Sequence, residues 1–166
     1  MRLIPFQPAH VSLLDKPVAG ATDEMRNPIV DWTEWAKSHV DEGASYTGIN
    51  DNGDIIASGG IVELWPEHGD AWFFGTHHVP RHIKSIVKVL RKSIEIIAEE
   101  KNYKRVSTHV LADWDEAVRF IEFLKFERAS ALSMKLSVWS VNRSNRSEFI
   151  TTSRLDPAIS KAARIG

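Results

Sequence analysis

The feature that most constrains this 166-residue chain is one apolar stripe. Ile83, Ile86, Val87, Leu90, Ile94 and Ile97 recur at helical spacing just after Pro80, which occupies the first-turn position where a missing N–H costs nothing. The stripe lies between two stretches with strand character, Ala71 to His77 and Arg105 to Leu111. A strand, a crossover helix and a second strand of one sheet run parallel, with a right-handed connection. The spacing therefore predicts a sheet carrying a parallel pair, with a long helix packed on it.

The segments before this unit predict antiparallel structure. Arg2 to Phe6 alternates polar and apolar residues and reads as a strand, followed by a short helix over Ala9 to Asp15. A break at Gly20 to Asp23 precedes a second helix, in which Ile29, Trp32, Trp35, Ala36 and Val40 share one face and Gly43 stands where a left-handed C′ residue is wanted. Ser45 to Asn50 and Asp54 to Val62 flank the turn Asp51-Asn52-Gly53, and Pro66 to Gly69 separates the latter from Ala71 to His77. These three strands form a meander.

Beyond Leu111, Asp113 is placed to cap a helix running through Leu124, with Glu116 completing a capping-box pattern. Ala131 to Val138 alternates as a closing strand, and Phe126 to Arg128 offers it a short partner. From Ser140 the chain turns to Ser, Asn, Arg and Thr. The expected organisation is one domain over 1–139 and a polar, basic tail over 140–166, with one helical turn near Ala158 to Ala163.

Composition narrows the partners. Lys and Arg total 21 against 22 Asp and Glu, a formal net charge of −1, so no overall field draws the chain to nucleic acid or to an anionic membrane. Cysteine is absent, which removes disulfides and thiolate chemistry together. The start is interrupted by Pro5 and Pro8 and is not a signal segment, and no run approaches a membrane span. The expected location is a cytoplasm, or a particle filled from one.

The order of elements over residues 1–138 resembles the Gcn5-related N-acetyltransferase fold: a mixed, mostly antiparallel sheet flanked by helices. The more specific likeness is Trp114-Asp115-Glu116-Ala117-Val118-Arg119-Phe120-Ile121-Glu122-Phe123-Leu124-Lys125-Phe126, which is similar to the family's late Asn-x-x-Ala, aliphatic, Tyr, Gly-Phe segment. By this resemblance Ala117, Phe120 and Phe126 keep packing positions. Trp114 replaces the cofactor-contacting Asn, Ile121 the Tyr that protonates the leaving thiolate, and Lys125 the Gly of the turn. Isoleucine has no proton to give.

The family's diphosphate loop reads Arg or Gln, two residues, Gly, one residue, then Gly or Ala, because glycines let backbone N–H groups approach phosphates. The matching stretch is Arg81-His82-Ile83-Lys84-Ser85-Ile86, in which Arg81 alone fits. Residues 70–127 also look like a set of acetyltransferase-like proteins of short-tailed bacteriophages, some of which assist assembly of internal virion proteins. The resemblance implies a catalytically degenerate assembly component in a host cytoplasm or virion. It would contact other virion proteins or a second copy through the tail, with no cofactor expected. The alternative it implies is an active acyl-CoA N-acetyltransferase, in which Val79, Arg81, Lys84 and Ser85 would contact acetyl-CoA.

Two groups of side chains carry candidate chemistry. His77, His78 and His82 cluster at the strand-to-helix junction, where a histidine serves as general base, as metal ligand or only as surface; His77 is the candidate base. Adjacent strand residues point to opposite faces, so no metal site is expected there. Glu63, Glu67 and Asp70 surround the second hairpin turn, and Glu63 is the candidate carboxylate base for an amine, against the plainer reading of solvated charges. The basic face Arg81, Lys84, Lys88, Arg91 and Lys92 gives way to Glu95, Glu99 and Glu100 on the same helix and lacks interleaved aromatics, so nucleic acid is not the expected ligand. The six tryptophans are expected mostly in the core, with some left for a protein interface.

Overall fold

A computed structural model describes residues 1–13, 32–41, 43–131 and 136–142. Its elements are β1 (Arg2–Pro5), α1 (Ala9–Leu13), α2 (Trp32–Asp41), β2 (Gly43–Ile49), β3 (Ile55–Trp65), β4 (His68–Gly75), α3 (Val79–Glu100), β5 (Arg105–Leu111), α4 (Asp115–Phe123), β6 (Glu127–Ala131) and β7 (Leu136–Asn142). The strands hydrogen-bond in the order β1-β2-β3-β4-β5-β7-β6. The single parallel ladder among those described joins β4 to β5, with His68, Gly69 and Asp70 opposite Arg105, Val106 and Ser107. The α+β fold class and the mostly antiparallel sheet read from the sequence are the observed ones. No helix among the described residues is long and apolar enough to cross a membrane.

The chain divides into two compact units. One holds the described residues of 1–62 and 73–86, the other those of 63–72 and 87–142. The first unit buries Phe6, Ala36, Ile49, Ile56, Ala57, Ile61 and Ile86. The β2–β3 register sets Thr47 against Ser58, and their hydroxyls meet at 2.9 Å with both side chains fully buried. His10 of α1 completes this chain, because its Nδ1 lies 2.9 Å from the Thr47 hydroxyl and also accepts the Gln7 amide. A ring nitrogen that accepts an N–H carries no proton, so His10 is held neutral and the Thr47 hydroxyl donates to it. At the other end of this unit, Gly75 closes β4. A methyl group added there would sit 2.5 Å from Cγ2 of Val79, so the first turn of α3 is packed directly on the strand end.

The second unit buries Ile97, Tyr103, Val106, Val110, Leu124 and Phe126. Two helices end here on the same device. At the end of α3 the amides of Asn102 and Tyr103 return to the carbonyls of Glu99 and Ala98, with Asn102 at φ 55°. At the end of α4 the amides of Lys125 and Phe126 return to Glu122 and Ile121, with Lys125 at φ 67°. Both are Schellman motifs, in which a left-handed residue lets the last carbonyls find donors and turns the next residue, here Tyr103 or Phe126, into the core.

Several expectations shift. Gly43 opens β2 rather than ending α2. The β3–β4 turn is Pro66-Glu67 alone, with Glu67 at φ 67°, so β4 begins at His68 and has ended before His77. The pairing of Pro at the second position with a left-handed third residue is the type II arrangement, and glutamate fills a place usually given to glycine. Trp114, not Asp113, is the N-cap of α4, and no side-chain cap bond forms there. Ala117 and Phe120 are only partly buried, whereas Phe126 is core. The closing strand and its short partner are both present but shifted: the partner, β6, covers Glu127–Ala131, and the closing strand, β7, runs antiparallel to it over Leu136–Asn142. Of the tryptophans with described side chains, Trp35, Trp72 and Trp114 are partly buried and Trp65 is 56% exposed. The break at Gly20 to Asp23, Ile29, Asp15 and the tail beyond Asn142, with its expected helical turn, lie outside the described residues.

Two outcomes follow from this packing. Burial lowers the His10 pKa below the ordinary 6.5, so folding stability is complete above that value and is lost as pH falls toward the folded pKa. The thermal midpoint should drop between pH 7 and pH 5, and His10→Asn, whose carbonyl oxygen replaces the acceptor Nδ1 without titrating, should reduce that drop. Separately, Lys125→Gly should raise unfolding stability in urea by about 1 kcal/mol, because relief of the left-handed strain outweighs the added chain entropy of glycine.

Candidate functional site

The residues expected to hold a cofactor gather on one element. Val79, Arg81, Lys84 and Ser85 occupy the first two turns of α3, with Arg81, Lys84 and Ser85 exposed and Val79 turned onto Gly75. His77 and His78 form the turn that precedes them. Their rings do not diverge as they would on a strand: the centroids are 3.9 Å apart at 42°. His77 is exposed, and among the described residues no group of three His, Cys, Asp or Glu side chains is arranged to hold a metal ion.

Thr76 determines how α3 starts. Its amide donates to the Ile56 carbonyl at 2.9 Å, and its hydroxyl lies 3.0 Å from the carbonyls of Ile55 and Ile56, which ties the end of β4 to the start of β3. The same hydroxyl accepts the His78 amide at 3.2 Å, and the Thr76 carbonyl accepts the Val79 amide at 3.0 Å. Pro80 has no N–H, the Arg81 amide goes to His78, and from Ile83 onward the α-helical ladder takes each amide in turn.

A helix normally leaves its first N–H groups open, and those groups cradle phosphates in nucleotide sites. Here the amides of His78, Val79 and Arg81 have acceptors in the chain, and Ile83 to Ile86 lie within the helix, where the i−4 ladder takes their amides. The two positions where the family loop has small residues are Lys84, inside the helix, and Ile86, which is 2% exposed and part of the core. The residues present do not fit a coenzyme A diphosphate held by backbone amides.

Glu63, the other catalytic candidate, belongs to the second unit. It accepts a hydrogen bond from the buried Tyr103 phenol, and burial together with the Glu63 charge raises the Tyr103 pKa. Glu67 is also committed, since its carbonyl receives the amides of Lys104 at 2.8 Å and Arg105 at 3.3 Å, and its carboxylate meets Lys104 Nζ at 2.7 Å. The turn carboxylates therefore brace the β4–β5 junction.

Sequence reasoning missed a row of polar side chains on that junction. His68 Nε2 lies 2.7 Å from Ser107 Oγ, Ser107 Oγ lies 3.5 Å from Asp70 Oδ1, and Asp70 Oδ1 lies 3.3 Å from His109 Nδ1. His68 and Asp70 are two apart on β4, and Ser107 and His109 two apart on β5, so each pair shares a face. His68 and Ser107 are buried, and the indole of Trp65 stands edge-on to the His68 ring at 4.3 Å. Burial, then the charges of Arg105 and His109, lower the His68 pKa. The signal was the period-two spacing, hidden because residues 68 and 69 were assigned to the turn. Past Asp70 the Thr108 hydroxyl donates to the Ala71 carbonyl at 2.8 Å.

Neither a protein-family model nor a curated protein sequence matches the chain. Solved structures do. A chimera of spermidine N-acetyltransferase SpeG from Vibrio cholerae with hSSAT, spanning K23–Q34, superimposes with a TM-score of 0.64 at 12% identity, covering 86% of this chain and 95% of that one. The dodecameric spermidine N-acetyltransferase from Vibrio cholerae in an intermediate state gives 0.64 at 9% identity, covering 89% and 97%. The F149A mutant of SpeG gives 0.59 at 9%, covering 87% and 96%. At such identities the likeness concerns architecture, and it agrees with the element order: this chain has the Gcn5-related N-acetyltransferase fold.

Proposed function

We propose that this chain is a catalytically degenerate protein of the acetyltransferase fold that acts through protein–protein contacts. The observation that carries the reading is the closed start of α3, where Thr76, Pro80 and the helical ladder use the amides and Ile86 fills the core. Ile121, at the position matched to the family's proton-donating Tyr, has no ionisable group. The exposed Leu64, Trp65 and Phe123, at 45%, 56% and 64%, are residue types that a partner protein would cover. The bacteriophage-like stretch over 70–127 makes virion assembly the setting we favour.

A second reading has its own support. The structural neighbours are named as spermidine N-acetyltransferases, and Arg81, Lys84 and Ser85 are exposed on α3, where side chains rather than amides would meet phosphates. On that reading the chain would transfer an acyl group from CoA to an amine.

Isothermal titration with acetyl-CoA, run beside a thiol-release assay with spermidine as acceptor, separates the two. The degenerate reading predicts no saturable heat in the micromolar range and no released CoA. Micromolar binding, or spermidine-dependent thiol release, would overturn it.

A further inference from the structure

The outward side of α3 carries its charge in two blocks. At ~100° per residue, Lys88, Lys92, Glu95 and Glu99 fall within about 60° of one another around the helix axis, opposite Leu90, Ile94 and Ile97. Lys88, Glu95 and Glu99 are exposed, and Lys92 is partly so. Within one helix this order is unfavourable. Lys88 and Lys92 are like charges four residues apart, as are Glu95 and Glu99, a spacing that destabilises a helix. The one opposite-charge neighbour pair in the stripe, Lys92 and Glu95, has the base first, the weaker orientation. Bases also precede acids along the whole helix, against the macrodipole, and α3 has no acid in its first turn and no base in its last. Neither Lys88 nor Lys92 forms an ion pair with a described residue.

Laid beside its own reversed image, the same order becomes complementary. A second α3 running antiparallel sets Lys88 against Glu99 and Lys92 against Glu95, and a two-fold axis between Ser93 and Ile94 forms both pairs twice. Val89 and Ile96, seven apart and only partly buried, border the stripe and give the seam the apolar contact that exposed ion pairs do not replace. We propose that this face of α3 is where two copies of the chain meet, as an antiparallel helix pair held in register by those charges. The occupant is a second copy rather than an acidic or a basic partner, because a stripe half of each sign is matched along its length by a surface of the reverse order, which its own antiparallel image supplies. Parallel pairing in register would set like charge against like. The inference goes beyond the proposed reading and holds whether or not the chain binds acyl-CoA.

The test is sedimentation equilibrium of the full chain in wild type, in the double variant Lys88→Glu with Lys92→Glu, in the double variant Glu95→Lys with Glu99→Lys, and in an equimolar mixture of the two variants. Wild type should sediment as a dimer at about 0.05 M salt, with a dissociation constant roughly tenfold higher at about 0.5 M. Each double variant alone should be a monomer, because its stripe carries one sign, and the mixture should form a heterodimer. A monomeric wild type at low salt, double variants that dimerise as tightly as wild type, or a mixture that stays monomeric each overturns the proposal. Should a double variant not fold by circular dichroism, Lys88→Glu and Glu99→Lys, singly and mixed, give the same comparison.

Discussion

Thr76 makes three kinds of hydrogen bond at one point: to the carbonyls that open β3, to the His78 amide and to the Val79 amide. Much of what the first unit can do follows from that arrangement. Because the hydroxyl and carbonyl of one buried residue supply acceptors to the first free N–H groups, α3 can begin at Val79, before the stretch matched by resemblance to the family's diphosphate loop. Proline at the next position has no donor to leave open.

Once α3 begins there, its register is set, and Ile86 falls on the buried side. Burying an isoleucine contributes roughly 1.5–3 kcal/mol. Freeing the amides of Ile83 to Ile86 for a ligand would forfeit that contribution and the helical bonds of the same turns. A diphosphate would have to repay both. On the proposed reading, the chain keeps the helix and sheet of this fold while the packing of α3 leaves no backbone amides there for a diphosphate.

Much of the architecture was legible because it rests on period. The stripe on α3 and the limits of β5 were read from apolar spacing, and β5 was placed to the residue. What escaped depends on backbone conformations that the side chains do not advertise. Glu67 and Lys125 take left-handed φ angles where glycine is the usual signal, so the β3–β4 turn was drawn too long and the α4 turn looked lost when it is retained. The first error hid His68 from the strand and with it the His68–Ser107–Asp70–His109 row. Of the candidate site, the cofactor residues do share α3, but their amides are spoken for, which only hydrogen-bond positions could show.

The central claim is that the amides at the start of α3 are already used. Amide hydrogen exchange of Ile83, Lys84, Ser85 and Ile86, followed by NMR with and without acetyl-CoA, tests it most directly. The account predicts slow exchange in the free protein and no change in rate or chemical shift on adding the thioester. Fast exchange that becomes protected when acetyl-CoA is added would contradict it.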